Sequence, residues 1–290
     1  MTASQLDTVL ADLPEVHVGR LPLRQAAREA ITHALRDDVP GLAAELAFRA
    51  ALAFLPFLLL LAALPSVLGS ILNASDIGDQ ISRQADALLS KNSAAMVHTV
   101  VGEVTKSQGW GVVAFGLVGT IWAGLATTSS TRKALNRLYS FEEDKPFLQR
   151  KLYELALTAV VGLLVVMAIM ALLLGPLLLG GVALATELLS GGVALVMMAA
   201  AVSLVYWLAP ARDNSFRWIT PGTVFFVLAW LLISAGFSIY LSQFGALNRV
   251  YGSLGAMLAL LLWLYGSCVA LLIGAELNAV LGKRLDPKTD

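Results

Sequence analysis

Residues Gly41–Leu61 read GLAAELAFRAALAFLPFLLLL, a stretch apolar enough to cross a bilayer that still holds Glu45, Arg49 and Pro56. A membrane helix needs about 20 mostly apolar residues. Glu45 and Arg49 stand four apart with the acid first, the favourable order for a pair on one helix face. Both lie near the polar end of the stretch, where an arginine can extend its head toward water. Two readings stay open for them: a local ion pair, or part of the lining of a pathway, since charges inside a membrane are functional suspects. Pro56 lacks an N–H and frees the carbonyl of Leu52, which predicts a bend near mid-membrane.

Composition agrees with a membrane chain. Of 290 residues, 58% are hydrophobic and 14% charged, against roughly 45–50% and about 25% in soluble domains. Mean hydropathy is +0.76. Formal net charge is zero, so no global bias toward nucleic acid exists. The single cysteine, Cys268, excludes an internal disulfide, a CxxC pair or a cysteine zinc site. The first 40 residues lack an apolar core of signal-peptide type, so the first apolar segment is expected to be a retained span.

Working outward, six segments are long and apolar enough to span: Leu46–Leu68, Trp110–Thr128, Tyr153–Leu174, Val193–Leu208, Ile219–Leu241 and Ala256–Leu277. The link between the third and fourth is itself apolar, so a seven-span alternative stays open. Lysine and arginine decide the orientation. Of the 20, fifteen fall in the N-terminal segment, the second and fourth loops and the C-terminal tail. Arg83, Lys91, Lys106 and Arg249 fall in the odd loops, and Arg49 lies within a span. The split predicts an all-α membrane protein of six transmembrane helices with both termini cytoplasmic. Residues 1–40 form a cytoplasmic segment, 41–281 the transmembrane domain and 282–290 a cytoplasmic tail.

Two segments outside the spans carry helical spacing. Leu23–Asp38 has apolar residues at 23, 27, 30, 31, 34 and 35, an amphipathic helix for the cytoplasmic face. The first external loop has partial helical periodicity and is expected to be helical. In the second span, Gly116, Thr120, Gly124 and Thr128 recur every four residues. Such a ladder lets a second backbone approach closely and lets threonines bond across helices. Gly252 and Gly255 mark close packing at the start of the sixth. A short echo, ALNRLY at Ala134–Tyr139 and ALNRVY at Ala246–Tyr251, would fit inverted repeats, but the flanking sequences do not match.

The chain holds three histidines, His17, His33 and His98, none inside a span. No HExxH, GxSxG or Walker A motif occurs. The expectation is therefore no enzyme, no cofactor and no metal. Polar groups near the spans are few. Besides Glu45 and Arg49, they are Tyr240, Asn248 and Tyr251 around the end of the fifth span, and Glu276 and Asn278 at the end of the sixth. With Pro56 they are the candidate cavity or pathway residues. An acid at the C-terminal end of a helix is opposed by the helix dipole unless a base compensates, so Glu276 is either an ion pair or a functional carboxylate. Arg132, Arg137, Arg212 and Arg217 are candidate contacts to phosphate headgroups, or simple topology determinants.

Five segments together resemble the YihY/BrkB family of bacterial inner-membrane proteins: LAAELAFRAALAFLPFLLLL, ALNRLYSFEEDKPFLQRKL, LAPARDNSFRWITPG, YLSQFGALNRVYGSLGAMLALLLWLY and LIGAELNAVL. The resemblance runs from about Leu42 to Leu281. It departs where Arg49, Ala50 and Ala53 stand in place of the aromatic residues and serine of many members. What it implies is a multi-pass inner-membrane envelope protein of six helices, with relatives linked to export of lipid or lipopolysaccharide precursors and to serum resistance. The family's older ribonuclease BN label is opposed here by the lack of a histidine metal motif and of a basic, aromatic-lined RNA groove. The expected function is handling or export of an amphiphile such as a phospholipid, through a cavity between spans 1, 5 and 6. The alternatives are a non-transporting envelope scaffold and, more weakly, an ion or small-solute channel. The expected partners are membrane lipids and no nucleic acid, with a homo-oligomer or an envelope protein left open.

Overall fold

The computed structural model describes residues 17–18, 21–72, 110–143, 145–179, 183–211, 219–243 and 247–285. The helical external loop predicted for the segment after the first span lies outside them. A two-residue antiparallel pair, β1 (His17–Val18) with β2 (Leu21–Pro22), precedes the helices. Seven helices follow among the described residues: α1 (Leu23–Arg36), α2 (Val39–Leu72), α3 (Trp110–Tyr139), α4 (Phe147–Leu179), α5 (Ala183–Leu208), α6 (Pro221–Gln243) and α7 (Leu247–Leu285). Six of them, α2 to α7, are long and apolar enough to cross a membrane. The fold is the predicted all-α six-span architecture. The helices outrun the apolar windows because a helix continues into the interface wherever its ends are capped. α2 starts seven residues before the predicted span, and α3 ends eleven beyond its own.

The caps are legible in the chemistry. Asp38 adopts φ 58° between α1 and α2. Its carboxylate accepts the Gly41 N–H at 3.3 Å, and its carbonyl accepts the Leu42 N–H at 3.0 Å. A side chain at Gly41 would run into that carboxylate, so glycine leaves room for the cap. α3 ends in a left-handed Ser140, φ 56°, with the Phe141 N–H bonded back to the Asn136 carbonyl at 2.8 Å. That is a Schellman close, and it turns residues 140–143 back toward the helix they leave. α6 begins with Thr220 as N-cap, its hydroxyl accepting the Thr223 N–H at 3.1 Å, and with Pro221 in the first helical position.

The chain forms two compact units, each described by itself. The first comprises Met1–Phe48, Thr128–Leu157 and Val202–Asp290. Here α1 docks on α7 and buries Ala30 and Ala34, and α6 packs along α7. Leu46, Leu135 and Leu272 are fully buried. Gly266 sits against Ile233, and Trp263 meets Trp230 edge to face at 5.9 Å while its indole N–H donates to the Ser234 hydroxyl at 3.1 Å. With no hydrophobic drive between helices in lipid, close packing and hydrogen bonds of this kind hold the bundle.

The second unit comprises Arg49–Thr127 and Thr158–Ala201. Here the small-residue ladder meets its neighbours. A Cβ at Gly116 would stand 3.0 Å from the Leu60 nitrogen, one at Gly119 would stand 2.8 Å from Pro56 Cβ, and one at Gly124 would stand 2.7 Å from Thr158 Cγ2. α2 is one continuous helix through Pro56, whose ring fills the space that Gly119 leaves. Thr127 donates to the Ala123 carbonyl of its own helix at 3.0 Å, and the buried Thr120 hydroxyl makes no hydrogen bond among the described residues. Phe115, Val118 and Trp122 form an exposed stripe on α3, Trp122 at 74%, as a lipid-facing surface requires.

Candidate functional site: a charged pocket at the end of the third helix

The apolar run of α3 gives way at Thr127 to TTSSTRKALNRLY. Here α3 changes from a lipid-facing helix to a polar one. Arg132 is 3% exposed and meets Glu143 through two parallel hydrogen bonds, Nε to Oε2 at 2.6 Å and Nη2 to Oε1 at 2.9 Å. The Schellman turn at Ser140 brings Glu143 to it. Asn136 joins the pair, its amide donating to Glu143 Oε2 at 3.3 Å. Its Oδ1 accepts the Ala211 backbone N–H at 2.7 Å and so fastens the segment after α5. The guanidinium beside Glu143 holds that carboxyl below its ordinary value, outweighing the opposing effect of partial burial.

α4 supplies the opposite wall. Glu154 is 2% exposed; Lys151 donates to its Oε2 at 2.6 Å and Ser129 to its Oε1 at 3.2 Å. Arg150 Nε makes a longer ion pair with Oε1 at 3.8 Å, beyond hydrogen-bond distance, and that buried N–H has no hydrogen-bond acceptor among the described residues. Ser129, Arg132, Lys133, Asn136, Glu143, Arg150 and Glu154 enclose a half-open pocket of about 320 Å³. The two buried charges are answered within the protein, Arg132 by Glu143 and Glu154 by Lys151. Lys133 is exposed and makes no ion pair or hydrogen bond among the described residues. The pocket therefore presents Lys133 and Arg150 as cations, and chemically it can take an anion.

A second polar cluster ties α6 and α7 together. Asn278 Oδ1 accepts the Gly222 N–H at 2.8 Å, and its amide donates to the Thr220 hydroxyl at 3.0 Å. Thr223 and Ser203 share a hydrogen bond at 3.1 Å, and the Tyr206 hydroxyl donates to the Leu271 carbonyl at 2.7 Å. Glu276 is 0% exposed, with His33 Nδ1 of α1 at 3.9 Å and Tyr139 beside it.

The remaining sequence-derived candidates fall as follows. Glu45 Oε1 accepts from the Ser130 hydroxyl at 2.9 Å, so its carboxylate is tied to α3. Arg49 is half-buried in α2. Tyr240 is exposed and stacks on Phe237 at 6.1 Å. Arg137 is exposed and lies outside the pocket lining, whereas Arg132 is part of it. Gly255 is half-buried in α7. The side chains of Asn248 and Tyr251, the surroundings of Gly252, and both Arg212 and Arg217 lie outside the described residues. Sequence reasoning missed Ser129, Lys133, Asn136, Glu143, Arg150 and Glu154 as a group. The available signal was the hydroxyl-rich run TTSST, followed by a dense alternation of charge across residues 132–154.

Residues 30–290 match the family model described as Virulence factor BrkB. The chain belongs to the BrkB family. This BrkB protein is 28% identical over 251 residues to the ribonuclease-like protein YfkH of Bacillus subtilis (strain 168), covering 83% of this chain and 89% of the relative. It is 25% identical over 260 residues to a UPF0761 membrane protein of Pseudoalteromonas atlantica, covering 87% and 84%. A UPF0761 membrane protein of Xanthomonas oryzae pv. oryzae is 37% identical over 76 residues, covering 26% and 18%. No solved structure matches. The six spans and these relatives make the BrkB protein a multi-pass bacterial membrane protein.

Proposed function

We propose that this protein handles a phospholipid-like amphiphile in the inner membrane and moves it across or out of the bilayer. The observation that carries this reading is the pocket between α3 and α4. It opens where the apolar stretch of α3 ends, about 20 residues and so about 30 Å along the helix from Trp110. That is the level at which hydrocarbon gives way to headgroups. The lysine and arginine distribution puts this end at the cytoplasmic face. An amphiphile has its charged group at that depth and its chains beside the exposed apolar faces of the spans.

The test is headgroup-specific lipid translocation in vesicles holding the purified protein. Wild type is compared with Lys133→Gln, and with Glu45→Gln and Arg49→Met as changes in the first span. Accelerated transfer of at least one lipid, slowed by Lys133→Gln, is the expected result. Folded protein that moves no lipid at all would leave the scaffold reading in its place.

A further inference from the structure

Resting on the lipid reading above, we infer that the pocket selects a phosphomonoester headgroup, a dianion, over the phosphodiester of ordinary phospholipids. The charge balance of its walls points this way. Arg132 and Glu143 satisfy each other through a bidentate pair, and Lys151 makes the short contact to Glu154. Neither acid is left to receive an ammonium group, so a zwitterionic headgroup finds no place for its cation. Among the described residues two cations remain beyond this one-to-one balance, Lys133 and Arg150, the latter sharing Glu154 at 3.8 Å, and both line the same half-open space. Arg150 carries a buried N–H that lacks an acceptor among the described residues. A phosphomonoester has a charge of about −1.5 to −2 near neutral pH and three acceptor oxygens. It matches two cations where a diester, with a single charge, matches one. Arginine and lysine are also the two side chains best suited to bind it, one as a fork and one as a point charge.

The surroundings of Arg150 commit the ligand to a lipid. Phe147, Leu148 and Leu152 all stand exposed within the same two turns of α4. Arg150 lies over the Phe147 ring at 5.5 Å, and Lys145 lies over the Tyr153 ring at 4.4 Å. A cation set among exposed apolar side chains suits a phosphate with acyl chains attached. A soluble phosphate would leave those side chains against water.

The experiment uses the full chain in phosphatidylcholine bilayer discs and measures retention of labelled phosphatidate, phosphatidylglycerol and phosphatidylethanolamine. Phosphatidate is expected to be held about tenfold more tightly than phosphatidylglycerol, the scale of one added charge-assisted contact. Lys133→Gln and Arg150→Gln should each remove most of that preference, with Glu142→Gln, an exposed acid outside the pocket, as the unaffected control. Thermal melting confirms that each variant is folded. Lys133 is exposed, so its variant keeps the test valid if Arg150→Gln fails to fold. Equal retention of phosphatidate and phosphatidylglycerol, or a preference that survives both substitutions, overturns the selectivity and leaves lipid handling standing. No retention of any lipid overturns both. Displacement of phosphatidate by glycerol 3-phosphate at matched concentration would overturn the lipid as the source of the phosphate.

Discussion

Arg132 and Glu143, eleven residues apart, form a planar two-bond pair at 2.6 and 2.9 Å with the guanidinium buried and the carboxylate 24% exposed. The pair closes residues 140–143 onto α3. Replacing Glu143 by Gln keeps the shape but leaves a buried cation without its counter-charge. Removing one partner of a buried pair costs about 3–5 kcal/mol, and the partial exposure of Glu143 places this change at or below the low end of that range. Thermal melting in detergent should show a clear drop in midpoint. Arg132→Lys should not be conservative, because an ammonium cannot make the parallel bonds. A Glu143→Gln variant that melts with wild type would show that the pair contributes nothing net.

The same contact sets a pH dependence. Arg132 first, against the opposing effect of burial, holds the Glu143 carboxyl below its ordinary value of 4.5. A carboxyl whose folded value is depressed contributes its stability fully above the unfolded value. It loses that stability as pH falls through the folded one. The difference in stability between wild type and Glu143→Gln is therefore expected to be constant above about pH 5. It should shrink as the medium becomes more acid than pH 4.5. A difference that grows on acidification would show that the group is not held ionised by Arg132.

The six spans were readable because a bilayer demands about 20 apolar residues in a row, and no tertiary contact is needed to see that. The helix ends were less readable. Whether α3 stops at Thr128 or continues to Tyr139 depends on Ser140 accepting a left-handed conformation, which few serines do. The pocket was the least readable part. Arg132 was singled out as one base among many, but its partner is chosen by the path of residues 140–143. Glu154 stands at the start of the third predicted span and was not singled out in the sequence. Only the packing of Ser129 and Lys151 around it shows that it is buried. Glu45 illustrates the same limit. Its spacing places Arg49 on the same helix face, but no spacing shows that the Ser130 hydroxyl of another helix also reaches it.

At Gly274, α7 lies against Gly222 of α6. A Cβ there would stand 2.5 Å from the Tyr206 hydroxyl and 2.7 Å from the Gly222 carbonyl oxygen. Backbone cannot give way as a flexible side chain can, so Gly274→Ala should cost at least the roughly 1–3 kcal/mol typical of overpacking. Reduced yield and a lowered melting midpoint are the measurements. Tyr206→Phe in the same chain removes one of the two clashing atoms, so the double variant should be less destabilised than the sum of the singles. An alanine at 274 that melts like wild type would mean the helices do not approach this closely.

Asn278 satisfies groups on both sides of the α6 cap, the Gly222 N–H and the Thr220 hydroxyl. Asn278→Leu leaves that N–H without its acceptor in a region water does not readily reach. A cost of about 1–3 kcal/mol is expected for the orphaned donor. Asn278→Asp restores the acceptor but loses the donor to Thr220, so its cost should be smaller for Gly222 and larger for Thr220. Amide hydrogen exchange at Gly222 separates the two. The leucine variant should speed exchange there sharply and the aspartate variant much less. Equal protection in both would place the stabilisation elsewhere than this hydrogen bond.

The Ser130–Glu45 contact, at 2.9 Å, links the start of α2 to α3. Glu45 is exposed, so the bond competes with water and is expected to be worth about 0.5–1.5 kcal/mol. A double-mutant cycle of Ser130→Ala and Glu45→Ala should return a coupling of that size in melting experiments. The control is Glu45→Gln, which keeps an acceptor oxygen facing Ser130 while removing the charge. If the carboxylate matters through Ser130, the glutamine variant retains most of the coupling. If it matters through its charge, the coupling vanishes with glutamine as completely as with alanine. The same three proteins assayed for lipid transfer then divide structure from function. A glutamine variant as stable as wild type that no longer transfers lipid would make Glu45 a functional carboxylate. One that is stable and active would leave Glu45 as a hydrogen-bond acceptor that holds the start of α2 in place.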